Sequence, residues 1–520
     1  MTERGMTATS EDRRTPQAMP GARPVLPLWL AIVVAAAAGF TMDLAFPSVA
    51  AWPLAFPAVG MLLVALIGRS VGGALLVGLV YGAAFYLLLV SWTTRFLGPV
   101  PWAGLAGAEA VLTAVALVPI ALAYRWVPRA WPRRRALILP PLVGALWTAH
   151  ETFLGSWPYG GFPWARIGMT QSASPLAPVA SWVGVTGLGF LMVTTAALAI
   201  ELVRTGAWRR PVSLAVPAAL VLVLLYTPLF PTTASGQLRI AAVQGNGSTG
   251  YFDEREPYGV IDAQTVATDA IAGDEVDLLV WPEGGVDYDP FQDESTARRL
   301  TRIVTRFDAP LLANTATERG ENIFNTSFLW TAGGEAPQRH DKRHPVPFGE
   351  YVPDRPFFHA LVPDLIGLLQ REYTAGTNPP IVRVGGVGVG LAICFDVIYD
   401  EVIREGVQHG AEVLVFQTNN ADFRGTDENL QQLAFARMRA IETGRSVVNV
   451  STVGTSQIIR PDGTTVASLD ADEAGALLED VELRSGLTMG VVLGPWIPQL
   501  LLWAGLVTLV VAGLVSRRRG

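Results

Sequence analysis

The chain has 520 residues, of which 50% are hydrophobic and only 16% charged, and its formal net charge is −7. That balance gives no reason to expect nucleic-acid binding, and a single cysteine excludes an internal disulfide and a multi-thiolate metal site. The composition is that of a membrane protein, except that residues 233–484 hold most of the acidic side chains and read as a soluble domain with enough chain to bury a core.

The chain opens with a polar tail, residues 1–24, carrying Arg4, Arg13, Arg14 and Arg23. Eight apolar runs of bilayer-spanning length lie at 25–42, 50–67, 71–92, 102–124, 136–153, 182–203, 212–230 and 487–515. Pro47, Pro53 and Pro57 punctuate the first two, which membrane helices tolerate when neighbours satisfy the freed carbonyl. The first run lacks a convincing Ala-x-Ala cleavage site and reads as a retained helix, not a signal peptide. Alternate loops carry Arg69, then Arg125, Arg129, Arg133, Arg134 and Arg135, then Arg204, Arg209 and Arg210, and the chain ends Arg517-Arg518-Arg519 before Gly520. The intervening loops hold only Arg95 and Arg166. The positive-inside rule then predicts both termini in the cytoplasm and the soluble block outside. The predicted order is a cytoplasmic tail (1–24), a transmembrane domain of seven helices (25–232), an extracytoplasmic domain (233–486), a final membrane helix (487–515) and a cytoplasmic basic tail (516–520).

Within the soluble block, strands are predicted over 238–244, 277–281, 388–393 and 413–417, and a helix over 430–443 stopped by Gly444. Doubly buried strands alternating with helices argue an α/β fold. Chemistry-bearing residues fall just after these strands, at the edge where α/β sheets bind ligands. Glu283 and Cys394 both occupy such positions, and Lys342 lies between them in a proline-rich loop. The three are expected to converge at one sheet edge.

Lys342 and Cys394 are the only lysine and the only cysteine. Every other basic side chain except histidine is arginine, so the lysine supplies a compact ammonium that arginine cannot. A thiol of pKa about 8.5 is scarcely ionised at neutrality. A nearby ammonium favours the thiolate and can stabilise an oxyanion, while a carboxylate can take the proton during attack. Such a trio forms a thioester from an ester or amide, and a thioester acylates amines.

Trp281-Pro282-Glu283, the run Lys342-Arg343-His344-Pro345-Val346-Pro347-Phe348-Gly349-Glu350-Tyr351-Val352-Pro353, and Ile393-Cys394-Phe395-Asp396 resemble the three signature regions of the apolipoprotein N-acyltransferases, a membrane branch of the nitrilase (carbon–nitrogen hydrolase) superfamily. Trp147, Glu151, Gly161-Phe162-Pro163-Trp164, Gly168 and Gln171 resemble the family's membrane part. The resemblance implies an α/β/β/α sandwich on about eight transmembrane helices, in the cytoplasmic membrane of a bacterium. It implies a catalytic triad of Glu283 as general base, Lys342 as stabiliser of oxyanion and thiolate, and Cys394 as nucleophile. Glu350, Phe395, Asp396 and Asn419 are implied as supporting or substrate-binding residues. The implied reaction moves an acyl chain from a membrane phospholipid to the cysteine and then to the amine of a diacylglyceryl-cysteine apolipoprotein. No cofactor, metal or nucleic acid is called for, and a monomer is expected. The sequence departs from the family at Phe395 and Asp396, where tyrosine and glutamate are common, and at Asn419-Asn420-Ala421-Asp422-Phe423, which lacks a tryptophan; in the family these positions line the entrance.

Several residues leave two readings open. Glu350 is either part of the site or a structural partner of Arg343 or Arg355. His340 and His344 read as loop histidines, too few for a metal. Glu151 is either functional within the membrane or simply at the interface with His150. The arginines of 437–445 either hold a lipid phosphate or form a solvated helix face. For the whole protein, a membrane-tethered amidase that passes its acyl group to water and a non-catalytic lipoprotein-binding scaffold are the alternatives.

Overall fold

The computed structural model describes residues 23–333 and 338–519. Arg4, Arg13 and Arg14 of the expected tail lie outside the described residues. The N-terminal part is helical, with α1 (Leu28–Asp43), α2 (Ala55–Leu66), α3 (Val71–Leu89), a short α4 (Thr94–Leu97), α5 (Pro99–Ala130), α6 (Arg135–Leu154), α7 (Ala180–Thr205) and α8 (Ala215–Tyr226). Small residues let these helices approach closely. A Cβ at Gly78 or Gly82 of α3 would stand 2.8 or 2.7 Å from the α5 backbone at Ala114 or Ala110.

Four helices are long and apolar enough to cross a membrane: Val71–Leu89, Pro99–Ala130, Ala177–Thr205 and Trp496–Arg519. Three shorter apolar helices cover Leu28–Asp43, Trp52–Leu66 and Pro211–Tyr226. Among the described residues, then, the eight predicted runs yield four helices of full spanning length. The α6 helix is less apolar, since it carries Arg135, Pro140, Pro141, His150 and Glu151. The run predicted at 487–515 is broken at Gly494-Pro495, because proline has no N–H and disfavours helix at the preceding residue.

The α/β part holds two six-stranded sheets. The first contains β1 (Thr233–Gln244), β2 (Leu278–Val280), β3 (Leu311–Arg319), β4 (Asn322–Trp330) and β5 (Arg339–Asp341). The second contains β6 (Ile381–Val384), β7 (Val387–Ile393), β8 (Val413–Thr418), β9 (Ser446–Ser451), β10 (Ser456–Ile459) and β11 (Thr465–Leu469). The last strand, β12 (Gly475–Ser485), returns to pair antiparallel with β1. The orders are β12-β1-β2-β3-β4-β5 and β6-β7-β8-β9-β10-β11. Each sheet runs one antiparallel edge strand, three parallel strands and two antiparallel strands.

Leu238, Ile240, Val280, Leu312, Val389, Val413 and Val448 form the core between the sheets. Outside the first sheet, α9 (Gly259–Thr268) and α10 (Glu294–Phe307) cover a second core around Trp281, Leu300 and Phe328. The lysine loop leads into α11 (Arg355–Leu361) and α12 (Pro363–Leu368). Outside the second sheet lie α13 (Asp400–Gln408) and α14 (Glu428–Thr443), whose core runs on without a break into that of the N-terminal helices. The layers are therefore α/β/β/α, with the last layer resting on the helical part, and α15 (Met489–Leu493) and α16 (Trp496–Arg519) close the chain. The predicted strands and the helix ending at Gly444 are present within a few residues; Gly444 takes φ +63°, the left-handed stop that glycine adopts at least cost.

Candidate active site

Glu283 follows β2 by way of Trp281 and Pro282. At the turn Gly284 takes φ +64° and its amide donates to Asn314 Oδ1 at 2.8 Å. Lys342 comes directly after β5, is 1% exposed, and its amide donates to Asn325 O at 2.8 Å. Its ammonium stands 3.1 Å from Glu283 Oε1 and 2.9 Å from Glu350 Oε2. Asn325, inside β4, donates to both carboxylates, at 2.7 Å to Glu283 and 3.0 Å to Glu350. Glu350 also accepts from the Val346 amide at 2.7 Å. Glu350 thus grips the lysine, and the partners proposed for it bind elsewhere, Arg343 to Glu405 and Arg355 to Glu372.

Cys394 is the first residue past β7, with φ +49°. That left-handed conformation costs a non-glycine residue roughly 1–2 kcal/mol, and such strain gathers at functional turns. The residue is half-buried, and Gln432 Nε2 lies 3.5 Å from Sγ. Burial, then the Glu283 carboxylate, push the thiol well above its usual range, while Lys342 pulls the other way. Burial opposes the charge on Lys342, but Glu283 and Glu350 outweigh it and hold the ammonium well above the usual lysine range. Glu283 itself is raised, by burial first, against the pull of Lys342 and with the push of Glu350. The resting site therefore combines a permanent buried cation, a neutral thiol and a carboxylate of raised proton affinity.

The three residues do not share one sheet edge, as the sequence suggested. Glu283 and Lys342 belong to the first sheet and Cys394 to the second, so they meet where the strand ends of two facing sheets come together. Asp396 ties the halves. It is fully buried and accepts from the amides of Arg343, at 3.2 Å, and His344, at 2.8 Å. Asp396 is therefore a clamp on the lysine loop and lines no entrance. Replacing it by alanine leaves two part-buried amides without their acceptor, a cost of about 2–4 kcal/mol; the thermal melt should fall, and an unchanged melt would contradict the clamp.

The other sequence expectations meet mixed outcomes. Phe395 packs inward, with ring centroids 6.2 Å from Phe162 and 6.5 Å from Trp164. Asn419 accepts from Thr249 Oγ1 at 3.1 Å and Thr452 Oγ1 at 2.8 Å, and so anchors the loop after β1. His340 is no loop residue but a fully buried member of β5. His344 stacks on Tyr399 at 3.7 Å and lies 3.0 Å from Glu401. Asn325 and Gln432 escaped the sequence reading. The signal for Asn325 was an asparagine inside a strand, where that residue is rare without a side-chain role.

Residues 239–486 match the Carbon-nitrogen hydrolase family, and residues 38–198 match the Apolipoprotein N-acyltransferase N-terminal domain. An apolipoprotein N-acyltransferase of Mycolicibacterium smegmatis is 30% identical over 515 residues, covering 92% of this chain and 84% of that protein. Another, from Azotobacter vinelandii, is 30% identical over 526 residues, covering 95% and 96%. A third, from Geobacter metallireducens, is 29% identical and covers 87% and 90%. The chain belongs to the apolipoprotein N-acyltransferase family. It is an acyltransferase built on a nitrilase-like domain.

In this member of the apolipoprotein N-acyltransferase family, α14 joins the two parts. Gln431 accepts from Trp164 Nε1 at 2.6 Å and donates to Pro47 O and Leu89 O, both at 3.2 Å. A kink at Gly184 in α7 frees the Val185 amide, which donates to Glu442 Oε1 at 3.1 Å. Arg439 is fully buried against Glu442, Asp400, Val397 O and Ile398 O. Arg445 is 2% exposed and holds backbone carbonyls. These two are neither phosphate ligands nor a solvated face, because their donors are already engaged. Arg166 meets Asp400 at 2.8 Å from the helical side. Glu151 is also buried, accepting from Trp147 Nε1 at 2.9 Å and the Ile167 amide at 2.8 Å, so it braces the loop after α6 and does not sit at an interface.

Proposed function

We propose that this protein transfers an acyl chain from a membrane phospholipid, through a thioester on Cys394, to the N-terminal amine of a diacylglyceryl-cysteine apolipoprotein. The observation that carries the reading is the buried ammonium of Lys342 held between Glu283 and Glu350 and acting on the half-buried thiol of Cys394, whose backbone is strained. Glu283 takes the thiol proton as sulfur attacks the ester carbonyl, and Lys342 balances the oxyanion. Collapse expels the lysophospholipid alkoxide, which takes that proton from Glu283. The acceptor amine then attacks the thioester, gives a proton to Glu283 and displaces the thiolate, which recovers the proton. Both substrates are lipids, and the nucleophile stands one residue from Phe395, which packs on the helical part.

The topology that fits is eight membrane helices with both termini cytoplasmic, seven in 25–232 and α16 (Trp496–Arg519) as the eighth, with the catalytic domain (233–486) outside. Arginine placement supports it. Arg519 donates to Ala130 O at the end of α5, Arg135 and Arg204 flank Glu201, and Arg69 reaches Leu26 O, so these basic segments meet in pairs at helix ends.

The test is incubation of the purified full chain with labelled phospholipid and a diacylated lipopeptide. Label in the lipopeptide amide is the expected result; free fatty acid as sole product would mean transfer to water, no labelled product at all would leave a scaffold, and wild-type transfer by a Cys394→Ala variant would remove the thioester. The rate of acyl-enzyme formation should fall as pH drops through the raised Glu283 pKa, since attack needs its carboxylate. The acid limb should lie above the free glutamate value of about 4.3. Glu283→Gln should remove that limb and most of the rate together.

A further inference from the structure

The thiol has a second polar side that the reaction scheme leaves unused. Gln432, 2% exposed on α14, points its Nε2 at Cys394 Sγ. An amide in that position is useful only if its N–H end faces the sulfur, and a primary amide can turn over. The neighbouring hydrogen bonds decide which end it shows. The Gly454 amide, which can only donate, gives its hydrogen to Ser451 Oγ at 2.8 Å. The Ser451 hydroxyl then donates to Asn420 Oδ1 at 2.6 Å. With its oxygen engaged, Asn420 turns its NH₂ the other way, to Gln432 Oε1 at 3.0 Å and Glu428 Oε2 at 2.6 Å. Gln432 therefore has its oxygen taken and only donors left for the sulfur. Each link then pairs a donor with an acceptor: the Gly454 N–H occupies one lone pair of Ser451 Oγ, whose hydroxyl hydrogen is directed to Asn420 Oδ1. Asn420, Ser451 and Gln432 are buried, where the low local dielectric strengthens these hydrogen bonds.

The packing agrees with a fixed arrangement. A Cβ on Gly454 would stand 2.5 Å from Asn420 Oδ1 and 2.9 Å from Ser451 Oγ, so the relay leaves room there only for glycine. The Asn420 side chain also suits its neighbours: its NH₂ reaches both Gln432 Oε1 and Glu428 Oε2, which the carboxylate of an aspartate could not do.

We propose that Gln432 is a catalytic hydrogen-bond donor to the Cys394 sulfur as it becomes a thiolate, and that Asn420 and Ser451 are positioning residues that hold its amide in the donating orientation. The inference rests on Cys394 being the nucleophile. Lys342 and Glu283 act on the thiol from the lysine loop and the first sheet, and the α14 amide adds a donor without adding charge. When the thioester is attacked, the same donor stabilises the departing thiolate.

Because Cys394 is the only cysteine, alkylation of the full chain by iodoacetamide reports this sulfur alone. A hydrogen bond to a charged group is worth enough to move reactivity by about tenfold. Gln432→Met, which keeps side-chain length and removes the donor, should alkylate about tenfold more slowly at pH 8, with the rate–pH curve moved up by about one unit. Asn420→Asp and Gly454→Ala, neither touching the sulfur, should move it the same way while wild type holds its curve. Curves for Gln432→Met and Gly454→Ala that superimpose on wild type would overturn the relay; if Asn420→Asp does not fold, Gln432→Met decides. Loading of wild type with labelled phospholipid separates this from the larger reading: a wild-type thiol that alkylates but takes no acyl group removes the thioester mechanism and leaves the donor assignment to be judged on the alkylation curves.

Discussion

Cys394→Ala is expected to abolish acyl transfer, by a factor on the order of 10⁴ or more. The chain has no second thiol, so nothing nearby can replace the nucleophile. Cys394→Ser should fare little better, because a hydroxyl in this buried setting holds its proton far more tightly than a thiol. The strained backbone at Cys394 is set by the end of β7 and the Asp396 clamp, neither of which uses the sulfur, so both variants should fold. Intact-protein mass spectrometry after incubation with phospholipid is the check: wild type should gain one acyl mass, and the variants none. An acyl mass on Cys394→Ala would end the thioester reading.

Lys342→Met should be nearly as severe, and for two reasons. Loss of the oxyanion partner costs about 10²–10³-fold in the acylation step. It also leaves Glu283 and Glu350 buried together without their cation, which breaks a buried ion pair and costs about 3–5 kcal/mol unless the carboxyls take up protons. The variant should then melt lower at neutral pH and recover part of that loss in acid, where protonation removes the repulsion. Lys342→Arg keeps the charge but must fit a planar guanidinium where the lysine is 1% exposed. Arginine should therefore rescue little activity. Full activity in Lys342→Arg would show that any cation serves, and would remove the argument for the single lysine. Acyl-enzyme formation rate and a thermal melt across pH measure both effects.

Much of the site was legible because its residue types are rare here. One lysine and one cysteine in a chain otherwise served by arginine stand out on chemistry alone, and Glu283 and Cys394 could be placed at strand ends from the apolar runs before them. Glu350 was legible as a candidate, but not its partner, since Arg343, Arg355 and Lys342 are all within reach of it in sequence. The fate of Asp396 was not legible either. An acid two residues after a nucleophile reads as easily as a substrate contact as it does a buried clamp, and only the loop folded over it shows the two amides it accepts.

By itself the sequence determined the separation into an apolar helical part and a polar α/β part, the strand positions, and the identities of the acid, the ammonium and the thiol. These depend on composition and short-range periodicity, which a single chain carries along its length. Only the tertiary structure decided that the acid and the lysine come from one sheet and the thiol from the other. It alone set two sheets of matching strand order face to face, closed the first with the last strand β12, and buried Arg439 of α14 and Arg445 just past its end. The reason is physical: strand pairing, the facing of sheets and the burial of a charge are set by contacts between residues dozens to hundreds of positions apart, and no local pattern encodes which of several acids or amides a side chain will meet.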